Sequence, residues 1–382
     1  MKLALVHDYL NQYGGAERVL ENLHAMYPAA PVYTSMYAPN IMPPQYRAMD
    51  VRTSFMQRLP GVLRHHQPYL MCYPLAFEGF DLGAYDVVLS NSSAWSKGVV
   101  TPPEALHVCY CLTPMRWAWS YRDYVDRERL GGPLRRVLPL VMHYLRLWDV
   151  ASAQRVDRFV AISRAVAARV RKYYGRDAVV IYPPVDVDQF RPRSESPDDF
   201  YLIVSRLVPY KRVDLAVAAF NQLGWPLWIV GDGRDRAALE RGARSNVRFL
   251  GRLPDGEVRE LMARCRAFLF PGLEDFGIAP VEAQAAGRPV VAFAGGGALD
   301  TVRDGESGVL FAQQTPERLA DAVRRCADLA LDPLAIRAHA ERFSAGRFRQ
   351  ELGEFVERAW TEHQRGGDDP IPRRPAVAAP GG

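Results

Sequence analysis

The chain is poor in lysine, in cysteine and in long apolar runs, and each shortage narrows the class of protein. Four lysines (Lys2, Lys97, Lys172 and Lys211) stand among 48 basic residues, so nearly all positive charge is arginine. The five cysteines show no metal-binding spacing, and an odd number without a disulfide framework fits a reducing cytoplasm. No apolar run approaches the roughly 20 residues that a membrane helix needs. The first eight residues turn polar too early for a signal peptide and predict a buried strand.

The net charge of +5 is mild, and aromatic and basic residues do not interleave as they do on RNA-binding sheets. We therefore expect no nucleic-acid partner. A weakly basic surface is compatible with anionic lipid or an anionic substrate. We expect a cytoplasmic protein, with peripheral attachment to the inner membrane face as an open alternative. A length of 382 residues predicts two domains, each with its own core.

Strand-like and helix-like segments alternate along the chain, with glycine turns between them. This order predicts an α/β protein with two doubly wound, Rossmann-like domains that face a central cleft. A Pro-rich break at 183–186 predicts the boundary between an N-terminal domain (1–183) and a C-terminal domain (184–345). A last helix, expected at 344–361 and assigned to 346–364, would cross back to the first domain. The Pro/Gly/Ala-rich residues 365–382 are expected to be disordered. Strands are expected at 3–6, 85–90, 107–112, 158–162 and 179–182, and then at 201–205, 227–230, 247–250, 267–270 and 289–293.

Two glutamates eight positions apart, Glu274 and Glu282, bracket a strand–turn–helix segment. The apolar run 267–270 suits a buried strand, Pro271-Gly272 ends it, and a helix is expected from about Gly277 to Gly287. The free N–H groups and the dipole of that helix favour an anion such as a diphosphate. One carboxylate could then accept hydrogen bonds from a sugar and the other from a ribose. The alternative is an acidic helix start followed by a solvated glutamate.

A basic segment, 205–212, follows the first strand of the second half. Arg206 and Lys211 stand five residues apart at the carboxyl end of that strand, where they could clamp a diphosphate. The alternative is a solvated basic loop. Asp186-Val187-Asp188 resembles a metal-binding pair of aspartates, but it lies in the Pro-rich linker. Because fixed cations and a helix start can neutralise the leaving group, we expect no required metal and no cofactor.

These motifs together resemble the retaining glycosyltransferases of family 4, which have the GT-B fold. The Glu274–Glu282 run resembles the family's glutamate-x7-glutamate signature, and the 205–211 segment resembles its S-R-L-x-x-x-K segment. The resemblance implies that Glu274 contacts the donor sugar, Glu282 the nucleotide ribose, and Arg206 and Lys211 the diphosphate. It covers the chain from Met1 to about residue 360.

Further donor-binding residues follow from the same resemblance. The amides of Gly277 and Ile278, with Phe276 before them, are expected to face the diphosphate. Gly14 and Gly15 form a glycine turn after the first strand, which in the family lies over the donor phosphates; on its own the pattern fits a plain turn equally well. Arg252 falls where the base pocket would start, although a surface arginine is the simpler interpretation.

One segment departs from the family. Residues 110–116 resemble Y-C-H-T-P-M-R, but Leu112 replaces the histidine that reaches the donor sugar. Leucine cannot donate a hydrogen bond or take a proton. His7, at the end of the first strand, is a candidate neighbour, with a buried or surface histidine as the alternative. Thr113 and Arg116 are candidate acceptor or donor contacts.

The sequence thus predicts a retaining, metal-independent hexosyltransferase of polysaccharide biosynthesis. The 107–119 region is most similar to the mannosyltransferase branch, which implies GDP-mannose as donor, with UDP-hexose as the open alternative. The acceptor is expected to be a glycan or a lipid-linked glycan. Residues 130–150 mix apolar residues with arginines and predict either a packing helix or a segment that lies on a membrane. A non-catalytic nucleotide-sugar-binding partner protein and a GT-B nucleotide-sugar epimerase remain as alternatives.

Overall fold

A computed structural model of the chain describes residues 1–119, 133–193 and 196–366. Its N-terminal part is built around a seven-stranded sheet in which every pairing is parallel. The central strands are buried along their whole length, as is typical of parallel sheets covered by helices on both faces. The strands are β1 (Leu3–His7), β2 (Val32–Thr34), β3 (Val51–Thr53), β4 (Val87–Ser92), β5 (Leu106–Cys111), β6 (Arg158–Ala161) and β7 (Ala178–Val180).

The C-terminal part repeats the plan with a second, six-stranded parallel sheet. The structure therefore confirms the predicted pair of doubly wound sheets. Its strands are β8 (Tyr201–Val204), β9 (Leu227–Val230), β10 (Val247–Gly251), β11 (Phe268–Phe270), β12 (Val290–Phe293) and β13 (Gly308–Phe311).

Helices fill the connections, and amphipathic spacing decides which face of each is buried. None of the helices in the described ranges combines the length and the apolar character needed to cross a bilayer. The helices of the first part are Gly15–Met26, Tyr73–Glu78, Arg116–Trp119, Pro133–Ala153 and Arg164–Tyr174. Those of the second part are Val213–Leu223, Arg236–Gly242, Asp255–Arg264, Ile278–Ala285, Ala298–Thr301, Pro316–Asp328, Pro333–Glu341 and Ala345–Gly366. Short 3-10 turns lie at Pro44–Ala48, Phe55–Arg58, Gln67–Cys72, Ser96–Gly98, Val187–Gln189 and Pro209–Lys211.

Each sheet has one point where the strand order reverses. It lies between β1 and β4 in the first sheet and between β8 and β11 in the second. Neighbouring connections diverge there and leave a crevice at the carboxyl ends of the strands, where ligands of such sheets bind. The loops after β1, β8 and β11 carry the glycine turn, the basic segment and the paired glutamates, so topology alone brings the sequence motifs to the two crevices.

The chain crosses between the two parts twice. After β7 it runs through the linker, where Val185 N–H donates to Phe343 O at 2.9 Å and Ala345 N–H donates to Val185 O at 3.1 Å. The last helix then returns to the first part: Phe348 packs edge-on against Tyr110 of β5 with centroids 5.5 Å apart. Its Arg349 Nη1 donates to Asn22 Oδ1 at 3.1 Å.

Some elements differ from the sequence-based expectation. Strands β2, β3 and β13 were not predicted, since two have only three residues and too little pattern to stand out. The last helix continues to Gly366, so Arg365 and Gly366, which were expected to be disordered, are helical. Basic residues in the last turn interact favourably with the helix dipole, and no proline interrupts the helix before residue 370. Residues 367–382, and residues 130–132 of the expected packing or membrane segment, lie outside the described residues.

Candidate active site between the two sheets

The helix that carries Glu282 begins with a strained glycine. Gly277 has φ 93° and ψ 91°, a conformation that side-chain-bearing residues rarely adopt. A Cβ on Gly277 would lie 2.7 Å from Cζ of Phe270, the last residue of β11. The turn therefore needs glycine, and it lets the helix Ile278–Ala285 start close behind the strand. Phe276, just before it, is buried at 3% exposure and belongs to the core.

Glu274 and Lys211 form an ion pair at the mouth of this helix. Lys211 Nζ lies 2.5 Å from Glu274 Oε1, and the two side chains are 17% and 18% exposed. Their loops touch, since a Cβ on Gly272 would lie 3.0 Å from Lys211 Cα. The structure thus brings together a residue expected at the donor sugar, Glu274, and one expected at the diphosphate, Lys211.

Arg206 joins the same cluster through Tyr210. Arg206 is exposed at the end of β8, and its Nη2 donates to the Tyr210 hydroxyl at 3.0 Å. The Lys211 ammonium lies 5.4 Å from the centroid of the Tyr210 ring, within cation–π range. Both predicted diphosphate cations therefore contact one tyrosine that the sequence analysis did not single out.

Glu282 lies one turn further along its helix and meets the other domain. Arg18 Nη1 donates to Glu282 Oε1 at 2.8 Å, with exposed side-chain fractions of 39% for Arg18 and 13% for Glu282. Burial raises the pKa of Glu282 above its ordinary value, while Arg18 acts in the opposite direction. Both residues line a cavity of about 660 Å³ between the Gly15–Met26 helix, the linker and the Glu282 helix. Glu274 and Lys211 lie outside its lining.

The glycine turn after β1 lies against the start of the Glu282 helix. A Cβ on Gly15 would lie 3.0 Å from Ile278 Cδ1, so a larger side chain would press on Ile278 of the second domain. Gly14 has an extended backbone and only an ordinary contact, 3.5 Å to Glu17 Oε2, at its Cβ position. Of the two predicted glycines, Gly15 is therefore the one that permits a close approach.

Arginines of the first domain contact acidic residues of the second. Arg116 Nη2 donates to Leu273 O at 2.9 Å, and its Nη1 lies 3.8 Å from Asp275 Oδ2. Arg169 Nη1 donates to Asp275 Oδ1 and, at 3.0 Å, to Thr113 Oγ1. The predicted contacts Thr113 and Arg116 thus lie at the cleft, beside the loop that carries Glu274.

A third contact of this type lies at Asp300. The Arg164 guanidinium pairs with Asp300 Oδ1, and Arg164 N–H donates to Asp300 Oδ2 at 3.0 Å. The Tyr182 hydroxyl donates to Asp300 Oδ1 at 3.2 Å. Burial is the main cause that raises the pKa of Tyr182, and the negative charge of Asp300 is the second. Sequence reasoning assigned no role to Arg18, Arg164, Arg169 or Asp275, although Arg18 stands beside the glycine turn and Asp275 beside Glu274.

His7 and Arg252 have very different surroundings, the one buried and the other exposed. His7 is 2% exposed; its Nδ1 is 3.1 Å from Asn91 Nδ2 and its Nε2 is 3.6 Å from Glu17 Oε1. These contacts hold His7 inside the first domain, beneath the glycine turn. Arg252 is exposed after β10. Leu112, half-buried, packs against the core of the first domain.

The loop after β4 is held by a buried carboxylate that sequence reasoning also missed. Asp8 is 2% exposed and accepts hydrogen bonds from the N–H groups of residues 93–96 at 2.6–3.0 Å, and from Ser93 Oγ at 2.5 Å. Five donors on one side chain satisfy it fully and fix this side of the crevice.

The Asp186–Asp188 pair does not converge on a common point. Asp186 accepts a hydrogen bond from the Gln189 amide. The Asp188 side chain is 91% exposed, and its Oδ1 lies 4.0 Å from Arg337 Nη2. Across residues 1–119, 133–193 and 196–366, no group of three or more histidine, cysteine or acidic side chains is arranged to hold a metal ion.

Two family models match the chain. Residues 13–189 match the model described as Glycosyltransferase Family 4, and residues 185–341 match the model described as Glycosyl transferases group 1. A D-inositol 3-phosphate glycosyltransferase of Mycobacterium tuberculosis is 30% identical over 342 residues, which cover 78% of this chain and 68% of that protein.

Two other relatives match over less of their length. An exopolysaccharide phosphotransferase of Streptomyces coelicolor is 30% identical over 71% of this chain and 29% of its own. An uncharacterized glycosyltransferase of Methanocaldococcus jannaschii is 28% identical over 44% of this chain and 48% of its own. The chain thus spans less than half the length of each of these two proteins.

Solved structures share the fold at low identity. HepE of Anabaena, solved in complex with UDP, superposes with a TM-score of 0.70 at 20% identity and covers 94% of this chain and 100% of that one. The sucrose-phosphate synthase of Thermosynechococcus elongatus gives a TM-score of 0.69 at 17% identity, over 95% of this chain and 100% of that one.

Proposed function

Because the chain belongs to the GT-B glycosyltransferases of the family 4 type, we propose that it moves a hexose from a nucleotide diphosphate sugar to a glycan acceptor with retention of anomeric configuration. The observation that carries this proposal is the cluster at the mouth of the Glu282 helix. There Lys211 pairs with Glu274, Arg206 contacts the neighbouring Tyr210, and the helix Ile278–Ala285 begins after Gly277.

The diphosphate of the donor binds between the cations and the helix start. Arg206 and Lys211 supply two positive charges, and the N–H groups of Gly277 and Ile278 supply fixed dipoles. Glu274 now satisfies Lys211 at 2.5 Å; a bound diphosphate takes over that role, and Glu274 then accepts hydrogen bonds from the donor sugar. Fixed positive groups at the leaving oxygen do the work that a metal ion does in other sites, so the proposed reaction needs no metal.

The chemical step balances without a dedicated protein base. The bond between the anomeric carbon and the diphosphate oxygen breaks, and its electron pair leaves with the diphosphate. The acceptor hydroxyl attacks the same face of the sugar, and its proton passes to the departing phosphate oxygen. Leu112, where relatives carry histidine, fits this scheme because no side chain at that position has to accept the proton.

We propose GDP-mannose as the donor, with a UDP-hexose as the competing choice. The support for GDP-mannose is the similarity of residues 107–119 to the mannosyltransferase branch. The support for UDP is that HepE, which shares the fold, was solved with UDP and with UDP-glucose.

A ligand panel tests the donor and the reaction together. A nucleotide that binds the folded chain stabilises it by about 2.7 kcal/mol at one hundred times its Kd. GDP is expected to raise Tm more than UDP does, and the parent protein is expected to transfer labelled mannose from GDP-mannose to a glycan extract. A larger shift with UDP would overturn the choice of base, and equal turnover by a folded Lys211→Met or Glu274→Gln variant would overturn the site.

A non-catalytic nucleotide-sugar-binding partner is the second candidate, and Leu112 is the observation that favours it. Binding without transfer to any fraction of a broad acceptor extract would support it. Mannose epimer formed without acceptor would instead indicate an epimerase.

We further propose that the acceptor is lipid-linked and that the protein reaches it from the membrane surface. The helix Pro133–Ala153 buries Met142, Leu145 and Trp148 and leaves Leu140 and Leu147 72% and 59% exposed. It therefore packs on its domain and still presents an apolar face. Co-flotation with anionic vesicles that is lost in a Leu140→Ser/Leu147→Ser variant is expected, and flotation unchanged by the substitutions would contradict this part of the proposal.

A further inference from the structure

Three cations converge on the ring of Tyr210. Arg206 Nη2 donates to its hydroxyl at 3.0 Å, the Lys211 ammonium lies 5.4 Å from the ring centroid, and the Arg116 guanidinium carbon lies 5.5 Å from it. Two of these groups belong to the predicted diphosphate clamp. The third comes from the opposite domain and was expected only as an acceptor or donor contact, with no role assigned at the diphosphate.

Arg116 is held in this position by its own domain. It begins the short helix Arg116–Trp119, whose Ala118 carbonyl accepts a hydrogen bond from Arg146 Nε at 2.7 Å. Trp119 Nε1 donates to the buried Asp149 at 2.7 Å, and its ring stacks on Tyr173 with centroids 4.3 Å apart. The segment that presents Arg116 is therefore tied to the domain core.

The contacts of Arg116 with the second domain leave it free to bind an anion. Its firm hydrogen bond is to the Leu273 carbonyl at 2.9 Å, whereas its distance to the Asp275 carboxylate is 3.8 Å. Asp275 is already paired with Arg169, and Glu274 with Lys211. Around Tyr210 three positive charges thus meet two carboxylates, of which Asp275 is also paired with Arg169, and the surplus is positive beside a helix start.

We propose that Arg116 is the third cation of the diphosphate site, brought to the leaving group by the first domain, and that Tyr210 is the positioning residue that gathers all three cations. This inference rests on the proposed function. It assigns Arg116 to the donor phosphates and not to the acceptor sugar. Because arginine can bind two phosphate oxygens at once while its plane rests on an aromatic ring, lysine is a poor replacement here.

A simpler role, in which Arg116 only latches the two domains together, makes a different prediction. A latch helps every ligand that binds the closed cleft to the same degree. A third phosphate cation helps a ligand with a β-phosphate and leaves a nucleoside monophosphate almost unaffected. The ratio of diphosphate to monophosphate affinity therefore separates the two roles.

The test measures binding of GDP, GMP, UDP and UMP to the full-length chain by calorimetry at fixed salt. Arg116→Ala is expected to weaken diphosphate binding about tenfold, the usual size of a charge-assisted hydrogen bond, with monophosphate binding within about twofold of the parent. Tyr210→Leu is expected to act in the same way. Tyr210→Phe keeps the ring and should retain most of the diphosphate preference, while Arg116→Lys should not.

Arg248→Ala is the matched control. Arg248 lies 5.0 Å from the centroid of the Trp228 ring, a cation–π contact on strands β9 and β10. Its loss should leave all four affinities unchanged.

An equal loss of monophosphate and diphosphate binding in Arg116→Ala would overturn the proposal in favour of the latch. No loss of either would overturn both roles. If the parent bound no nucleoside diphosphate while its fold was intact, the proposed function itself would fail. If the parent transfers sugar and the Arg116→Ala variant does so with the same kinetics, only the role of Arg116 is refuted.

Discussion

Removal of Arg18 is expected to weaken donor binding through Glu282, a residue of the opposite domain. Arg18 Nη1 lies 2.8 Å from Glu282 Oε1, and no more than 13% of the Glu282 side chain is exposed. If Glu282 holds the ribose of the donor, Arg18 both orients its carboxylate and keeps it ionised. Arg18→Ala takes away both effects while leaving Glu282 in place.

The size of the effect follows from the geometry. Two unit charges 4 Å apart attract by about 4 kcal/mol at an effective dielectric constant of 20 and by about 1 kcal/mol in water. Arg18 is 39% exposed, so the pair lies between these limits and part of the attraction is screened by solvent. We expect a loss of about 1–2 kcal/mol, which is roughly 5- to 30-fold in donor affinity.

The sign of the pH dependence follows from the pKa of Glu282. Burial raises this pKa and Arg18 opposes the increase, so removal of Arg18 raises it further. A carboxyl whose pKa is higher in the folded than in the unfolded state favours folding fully below its unfolded pKa. That contribution is lost as pH rises through the folded pKa. Donor binding, which uses the ionised form, behaves in the opposite sense and weakens as pH falls.

The assay is donor KM against pH for the parent, Arg18→Ala and Arg18→Lys. In the parent, KM should rise on the acidic side, and in Arg18→Ala this rise should begin at higher pH. Glu282→Gln should abolish the rise of KM at acidic pH, which would assign this rise to the Glu282 carboxyl. An acidic limb that stays in place in Arg18→Ala, with KM unchanged, would refute the reasoning.

Three further changes probe the cleft and its support. Gly15→Val is expected to raise donor KM several-fold without a change in Tm, since the new side chain would meet Ile278 only in the closed cleft. Gly15→Ala should raise donor KM by a smaller factor. A lowered Tm with a normal KM would contradict this prediction. Lys97→Met leaves Asp149 buried beside an apolar side chain, in place of the Lys97 ammonium 2.5 Å from it. We expect the free energy of unfolding, measured by urea titration, to fall by about 3–5 kcal/mol. A loss below about 1 kcal/mol would be inconsistent with a buried ion pair. Gly277→Ala places a Cβ 2.7 Å from an aromatic ring carbon at a φ of 93°, so we expect about 1–3 kcal/mol lower stability together with weaker GDP binding, both read from thermal shifts; an unaltered Tm would argue against strain at this turn.

Local sequence patterns were sufficient to predict the fold and the edge of each sheet at which its motifs lie. Alternating buried strands and helices define doubly wound sheets, and the carboxyl ends of neighbouring parallel strands share one edge. That is why Lys211, after β8, and Glu274, after β11, could both be expected at one crevice, where they lie 2.5 Å apart. The binding roles of these residues stay predictions.

The contacts between domains could not be predicted in this way. Arg18 and Glu282 are 264 residues apart, and Arg116 and Leu273 are 157 residues apart. A surface arginine has no periodic signature, and its partner depends on how two separately folded sheets face each other. His7 lies at a strand end with Asn91 and Glu17 as its neighbours, and its role toward the donor sugar stays a prediction.

The chemistry of these contacts bears on how the cleft works. The acidic residues Glu282, Asp275 and Asp300 of the second domain are met by arginines of the first; the arginines are 24–69% exposed and the carboxylates 0–16% exposed. Partly exposed ion pairs contribute little net stability, because water solvates both charges once they separate. A cleft closed by such pairs can open to admit a donor at small cost, whereas an apolar contact would resist opening. Where a donor group binds Glu282, it shares the carboxylate with Arg18, which contacts Oε1, so the nucleotide and the domain contact depend on the same side chain.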